Sequence, residues 1–142
     1  MKVDLLIAPC GHDAARFAVL NWHYSKSLPV GKMVKLGVWE DKRFIGAIIF
    51  AWGSNMHLGS PYGLKMTECC ELVRVALDSH KSTVTKIVSI AIKTLKRQSP
   101  NLRLIVSFSD PEEGHFGGIY QAGNWIYSGE TDVTFEWRLN GN

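Results

Sequence analysis

Residues 102–129 change character abruptly, and the change limits the folds open to this chain. Leu102, Leu104, Val106 and Phe108 alternate with Arg103, Ile105 and Ser107, the period of a strand. The pattern breaks at Ser109-Asp110-Pro111 and crosses a glycine-bearing segment that holds His115 and Tyr120. It ends on Trp125 and Tyr127. A carboxylate just past a buried strand is where α/β folds place chemistry, because strand ends fix positions and loops carry the variable groups. Asp110 is equally suited to capping a short following helix.

The rest of the chain supplies partners for that strand. Residues 3–8 form a short apolar strand ended by Pro9 and Gly11. Residues 13–22 read as a helix, with Ala14, Phe17 and Ala18 at i, i+3, i+4 spacing. It stops before Pro29, which leaves His23 and Tyr24 at a helix end entering a loop. Residues 33–39 alternate and residues 44–51 are almost wholly apolar, with a turn at 40–42, so the two form an antiparallel hairpin. Residues 52–65 are a loop rich in Gly, Ser, Asn and Pro, long enough to be functional. Residues 68–77 are the next strand. Strict alternation places Cys70, Leu72, Arg74 and Ala76 on one face and Glu71, Val73 and Val75 on the other. Charges on such a strand require partners, and structural ion pairs would satisfy Glu71 and Arg74.

A helix over 82–98 follows, with an apolar stripe of Val84, Ile87, Val88, Ala91 and Leu95 and Ser79 or Ser82 as cap. The last strand, residues 131–139, pairs with 125–127 across Ser128-Gly129. The order predicts an α+β fold: a mixed, mostly antiparallel sheet with helices on both faces.

The chain's 142 residues suit a single domain, 1–142, with a real core. No run reaches the ~20 apolar residues of a membrane span, and the first residues carry too short an apolar run for a signal peptide. Cys10, Cys69 and Cys70 are odd in number and lack CxxC spacing. That argues against a disulfide framework or a zinc site and for a reducing cytoplasm. The net charge of +3 permits nucleic-acid binding without demanding it, since the basic residues are spread rather than gathered on one face.

This element order is that of the GNAT acyltransferase fold, in which a donor pyrophosphate lies on the helix after the long strand. The corresponding segment here is DSHKSTVTK, without a glycine-rich turn. Ser79, Lys81, Ser82 and Thr83 are the cofactor-binding candidates, and helix capping is their competing use.

The segments NWHYSKSLP, ELVRVALD and SFSDPEEGHFGGIYQAGNWIYSG, with IGAIIFAWGSN, occur in an order that resembles the phage Mom family of GNAT-like DNA adenine-modification proteins. The chain is shorter at its C-terminus than longer members, so no added DNA-binding tail is expected. The resemblance implies conversion of the N6 amine of adenine in double-stranded DNA to an N6-carbamoylmethyl group, which protects phage DNA from host restriction. It implies a catalytic set of His23, Tyr24, Arg74, Asp110 and Tyr120. Iron is associated with the family; His23, Asp110 and His115 are the candidate ligands, a set that would leave open positions on the metal. The donor is an acyl-coenzyme A or another group carrier.

The chemistry suits these residue types. The N6 lone pair is delocalised into the ring, so a base must take a proton as the new bond forms; His23, Asp110 or a tyrosinate could serve. Arg74 could hold an anionic donor group or a DNA phosphate. Tyr24, Tyr120, Trp125 and Tyr127 offer faces for an extruded adenine, with core packing the competing role, especially for Trp125. The product carries a methylene on N6, which plain acetyl transfer does not deliver. Two alternatives stand beside this reading: a GNAT-family N-acetyltransferase using acetyl-coenzyme A on a small-molecule or protein amine, and a non-catalytic DNA-binding module. A homodimer would enlarge the surface available to grip a duplex.

Overall fold

The computed structural model describes residues 2–52, 62–108, 126–129 and 134–138. In chain order the elements are β1 (Leu5–Pro9), α1 (His12–Trp22), β2 (Met33–Glu40), β3 (Arg43–Ala51), a 3-10 turn (Met66–Glu68), β4 (Cys69–Leu77), α2 (Val84–Gln98), β5 (Leu104–Phe108), β6 (Ile126–Gly129) and β7 (Thr134–Arg138). The strands form one seven-stranded sheet in the order β1-β2-β3-β4-β5-β7-β6. Neighbours are antiparallel except β4 and β5, which are parallel and joined through α2. The expected mixed sheet is therefore present, with both hairpins paired, but Ser128 and Gly129, expected as the turn of the closing hairpin, lie within β6.

Alternation along β3 separates two cores. Ile48 and Phe50 pack with Leu36, Val38 and the buried stripe of α2 (Ile87, Val88, Ala91, Ile92, Leu95). Ala47 and Ile49 pack with Ala15, Ala18 and Val19 of α1. Successive side chains of a strand point to opposite faces, so α1 and α2 cover opposite sides of the sheet. No described helix is long and apolar enough to cross a membrane.

The β2–β3 turn is tight. Asp41 and Lys42 both adopt positive φ, 49° and 69°, as a two-residue turn matched to strand twist requires. Asp41 Oδ1 accepts from the backbone N–H of Asp4 at 2.9 Å, tying the turn to the start of β1. Further along β3, Gly46 lies so close to β4 that a Cβ there would fall 2.0 Å from the carbonyl oxygen of Ala76. Only glycine allows the two backbones to approach this closely.

Two further sequence expectations need correcting. The cap of α2 is Thr83, whose hydroxyl accepts from Lys86 N at 3.1 Å, and not Ser79 or Ser82. The strict alternation expected along β4 is also broken. Phe50 pairs with Leu72 and Ile49 with Arg74, so Val73 is an extra residue without a partner on β3. This β-bulge shifts every later side chain by one position. Cys70 and Leu72 face the α2 core, whereas Arg74 and Ala76 share the α1 face with Ile49 and Ala47.

Candidate functional site

The bulge brings Arg74 into the site. On the α1 face its guanidinium reaches the loop that follows α1: Nε donates to the Ser27 carbonyl at 2.9 Å, and Nη1 donates to the Val73 carbonyl at 2.8 Å. Among the described residues Arg74 meets these carbonyls, not the carboxylate of an ion pair. Neutral acceptors fix the orientation of the group without neutralising its charge.

The loop has its own internal order. α1 ends at His23, whose backbone N–H reaches Val19 O at 3.2 Å while its dihedrals turn extended. Lys26 sits at φ 53°, which bends the chain back toward β4. His23 Nδ1 lies 2.8 Å from Ser25 Oγ and accepts from Ser25 N–H at 3.1 Å. Ser25 Oγ in turn donates to Ser27 O at 3.3 Å, the carbonyl that also receives Arg74. A polar chain thus runs His23–Ser25–Ser27–Arg74. It serves both imidazole tautomers. An Nδ1 that accepts from Ser25 leaves the proton on Nε2, and an Nδ1–H that donates to Ser25 Oγ leaves Nε2 basic. Tyr24 stacks on the His23 ring at 4.4 Å with half of its surface exposed. Trp22 anchors the helix end against Phe17 and Phe44, so the loop starts from a fixed point.

Beside this corner the sheet opens. β4 pairs with β5 only from Cys69↔Leu104 to Glu71↔Val106, although β4 continues to Leu77. Past that point β5 keeps its pairing with β7 as far as Phe108↔Thr134. The buried Ser107, with Oγ 3.5 Å from Leu72 O, marks where the strands part. Arg74 lies on the half of β4 that pairs with β3 and not with β5. Asp110, His115, Tyr120 and Trp125 lie outside the described residues, as does most of the loop over 52–65. Among the described residues no three His, Cys, Asp or Glu side chains are grouped to hold a metal ion. Of the three candidate ligands only His23 is described.

The four cofactor-binding candidates lie together at the far end of β4. Ser79 is at φ 53°, and its carbonyl accepts from Arg43 Nη2 at 3.2 Å. Lys81 N–H and Ser82 N–H both donate to Glu40, at 2.8 Å to Oε1 and 2.7 Å to Oε2. Glu40, the last residue of β2, is 3% exposed. Burial alone would raise its pKa, but the amides of Lys81 and Ser82, the Ser82 hydroxyl and nearby His80 outweigh it and hold the carboxyl below its ordinary range. Burial raises the pKa of all three thiols, most strongly that of Cys70, so none is activated as a nucleophile.

The sequence reading missed Glu40, Ser25 and Ser27. Glu40 looked like part of a turn, and its partners lie 41 and 42 residues away. Ser25 and Ser27 stand within the NWHYSKSLP segment, where their closeness to His23 was the available signal.

The Mom protein family matches residues 4–141. The chain belongs to the Mom protein family. A Mom relative, the Methylcarbamoylase mom of Escherichia phage Mu, is 27% identical over 131 residues, covering 89% of this chain and 54% of the relative. This Mom chain thus spans about half the length of that curated protein. Among solved structures, the aminoglycoside N-acetyltransferase AAC(6')-Ib11 superposes with a TM-score of 0.67 at 13% identity, covering 96% of this chain and 97% of the other. The Campylobacter jejuni N-acetyltransferase PseH, in complex with acetyl coenzyme A, gives 0.55 at 15%, covering 78% and 71%. At these identities the likeness shows the fold, and this Mom protein has the GNAT N-acetyltransferase fold. The acetyl coenzyme A held by PseH carries a pyrophosphate. In this chain the amides of Lys81 and Ser82 could not take such a group as they stand, because the Glu40 carboxylate already fills them.

Proposed function

We propose that this protein is a phage DNA-modifying transferase that converts the N6 amine of adenine to N6-carbamoylmethyladenine and so protects the DNA from host restriction. The observation that carries this reading is the meeting of Arg74 and the His23 loop on one face of the sheet, beside the parting of β4 and β5. Membership of the Mom family supplies the acceptor class. As the N6–carbon bond forms and the bond from that carbon to the donor's carrier group breaks, the amine must lose a proton, and His23 takes it with Ser25 stabilising the ring that results. Tyr24 offers a face for an adenine drawn out of the duplex. Arg74, held rigid by carbonyls, binds the anionic group of donor or DNA that must lie against that adenine.

The test is mass spectrometry of nucleosides from DNA of cells expressing the chain. An adenosine bearing a carbamoylmethyl group is expected. H23A and R74A should each lower its yield by about 10²-fold or more, the usual scale for losing a general base or a charge clamp. Unmodified DNA together with acetylated small amines would overturn the reading in favour of an ordinary N-acetyltransferase.

A further inference from the structure

Glu40 closes a built anion site from within. Each of its oxygens takes one of two successive backbone N–H groups, from Lys81 and Ser82. That is how a loop nest grips an oxyanion. The turn that presents these amides is fixed by the hairpin carrying Glu40. Arg43 Nη2 holds the Ser79 carbonyl at 3.2 Å, Asp78 N–H reaches Ile45 O at 2.9 Å, and the exposed Lys81 Nζ lies 3.9 Å from Asp41 Oδ2. His80 Nδ1 braces the turn internally, 2.7 Å from Ser82 O. Glu40 is a buried residue, and its carboxylate would be costly to bury unless its oxygens were satisfied; here both are.

We infer that Glu40 stands in for a donor phosphate: this protein takes a group donor whose phosphate, if it has one, is not seated on the amides of Lys81 and Ser82. Those two amides are thereby closed to a nucleotide-linked thioester, and donor specificity is set elsewhere. This concerns the donor, goes beyond the reading of the acceptor, and holds for whichever amine the protein modifies. Glu40 is a specificity-determining residue in this account. It touches no reacting atom.

The experiment is amide hydrogen exchange, read by mass spectrometry over residues 78–85 of the full chain, with coenzyme A and inorganic pyrophosphate as separate probes. In the wild-type protein neither probe should slow exchange at Lys81 and Ser82. Coenzyme A binding with protection confined to other segments also supports the proposal. In E40A, which empties the two amides, pyrophosphate should slow exchange there at least several-fold. E40S, whose side chain is too short to reach the two amides, serves the same comparison if E40A does not fold. Saturable protection of Lys81 and Ser82 by coenzyme A in the wild-type protein would overturn the proposal. So would a folded E40A or E40S protein that gains no protection from pyrophosphate. A chain that leaves adenine unmodified while showing the expected exchange pattern would sink the DNA reading and leave this one standing.

Discussion

Glu40 illustrates how much one buried side chain can settle. Its folded pKa is lowered, so its contribution to stability is fully present above the ordinary glutamate range and is lost as pH falls through the lowered value. Below that value the group is protonated in both states and contributes nothing by this route. Glu40→Gln places an amide N–H against one of the two loop N–H groups, leaving a buried donor unsatisfied. We expect E40Q to lose about 1–3 kcal/mol at neutral pH. Its stability should also decline less steeply than wild type on the acid side. Denaturant unfolding at a series of pH values reads both. Equal acid sensitivity in the two proteins would mean that Glu40 is not the titrating group.

Among the elements, β4 carries the most information. Its first three residues hold β5, its bulge sits at Val73, and its second half carries Arg74. Deleting Val73 would remove the bulge and leave Arg74 opposite Ile49 on the α1 face, without the Val73 carbonyl that holds its Nη1. We expect this deletion to abolish DNA modification and to cost more stability than the ~1 kcal/mol of an average substitution. Nucleoside mass spectrometry and chemical denaturation check the two halves. A deletion variant that folds and modifies DNA normally would show that the bulge does not aim Arg74.

For the molecule as a whole, the site depends on two segments 47 residues apart, Ser27 and Arg74, sharing a hydrogen bond. Residues that act as one unit are not additive when removed. The H23A/R74A double variant should therefore lose little more activity than the worse single variant, measured as modified adenosine per unit of enzyme and time. Multiplication of the two single losses would show that the residues act independently.

The apolar periodicities of β2, β3 and α2, the break at Pro29 and the hairpin turn at Asp41-Lys42 could all be read along the chain. Each reports local burial or a local backbone preference, and each reappears within a residue or two of where the pattern placed it. The segments that carry the family resemblance also named His23 and Arg74. Three features became visible only in the folded protein: the face on which Arg74 lies, the chain from His23 through Ser25 and Ser27, and the occupation of the Lys81–Ser82 turn by Glu40. The extra residue at Val73 exists only relative to the pairing with β3, and Glu40 meets its amides only after β2, β3 and β4 align. A periodic pattern says which side chains leave water. It carries no information about which distant backbone groups they meet, because that is set by long-range strand register.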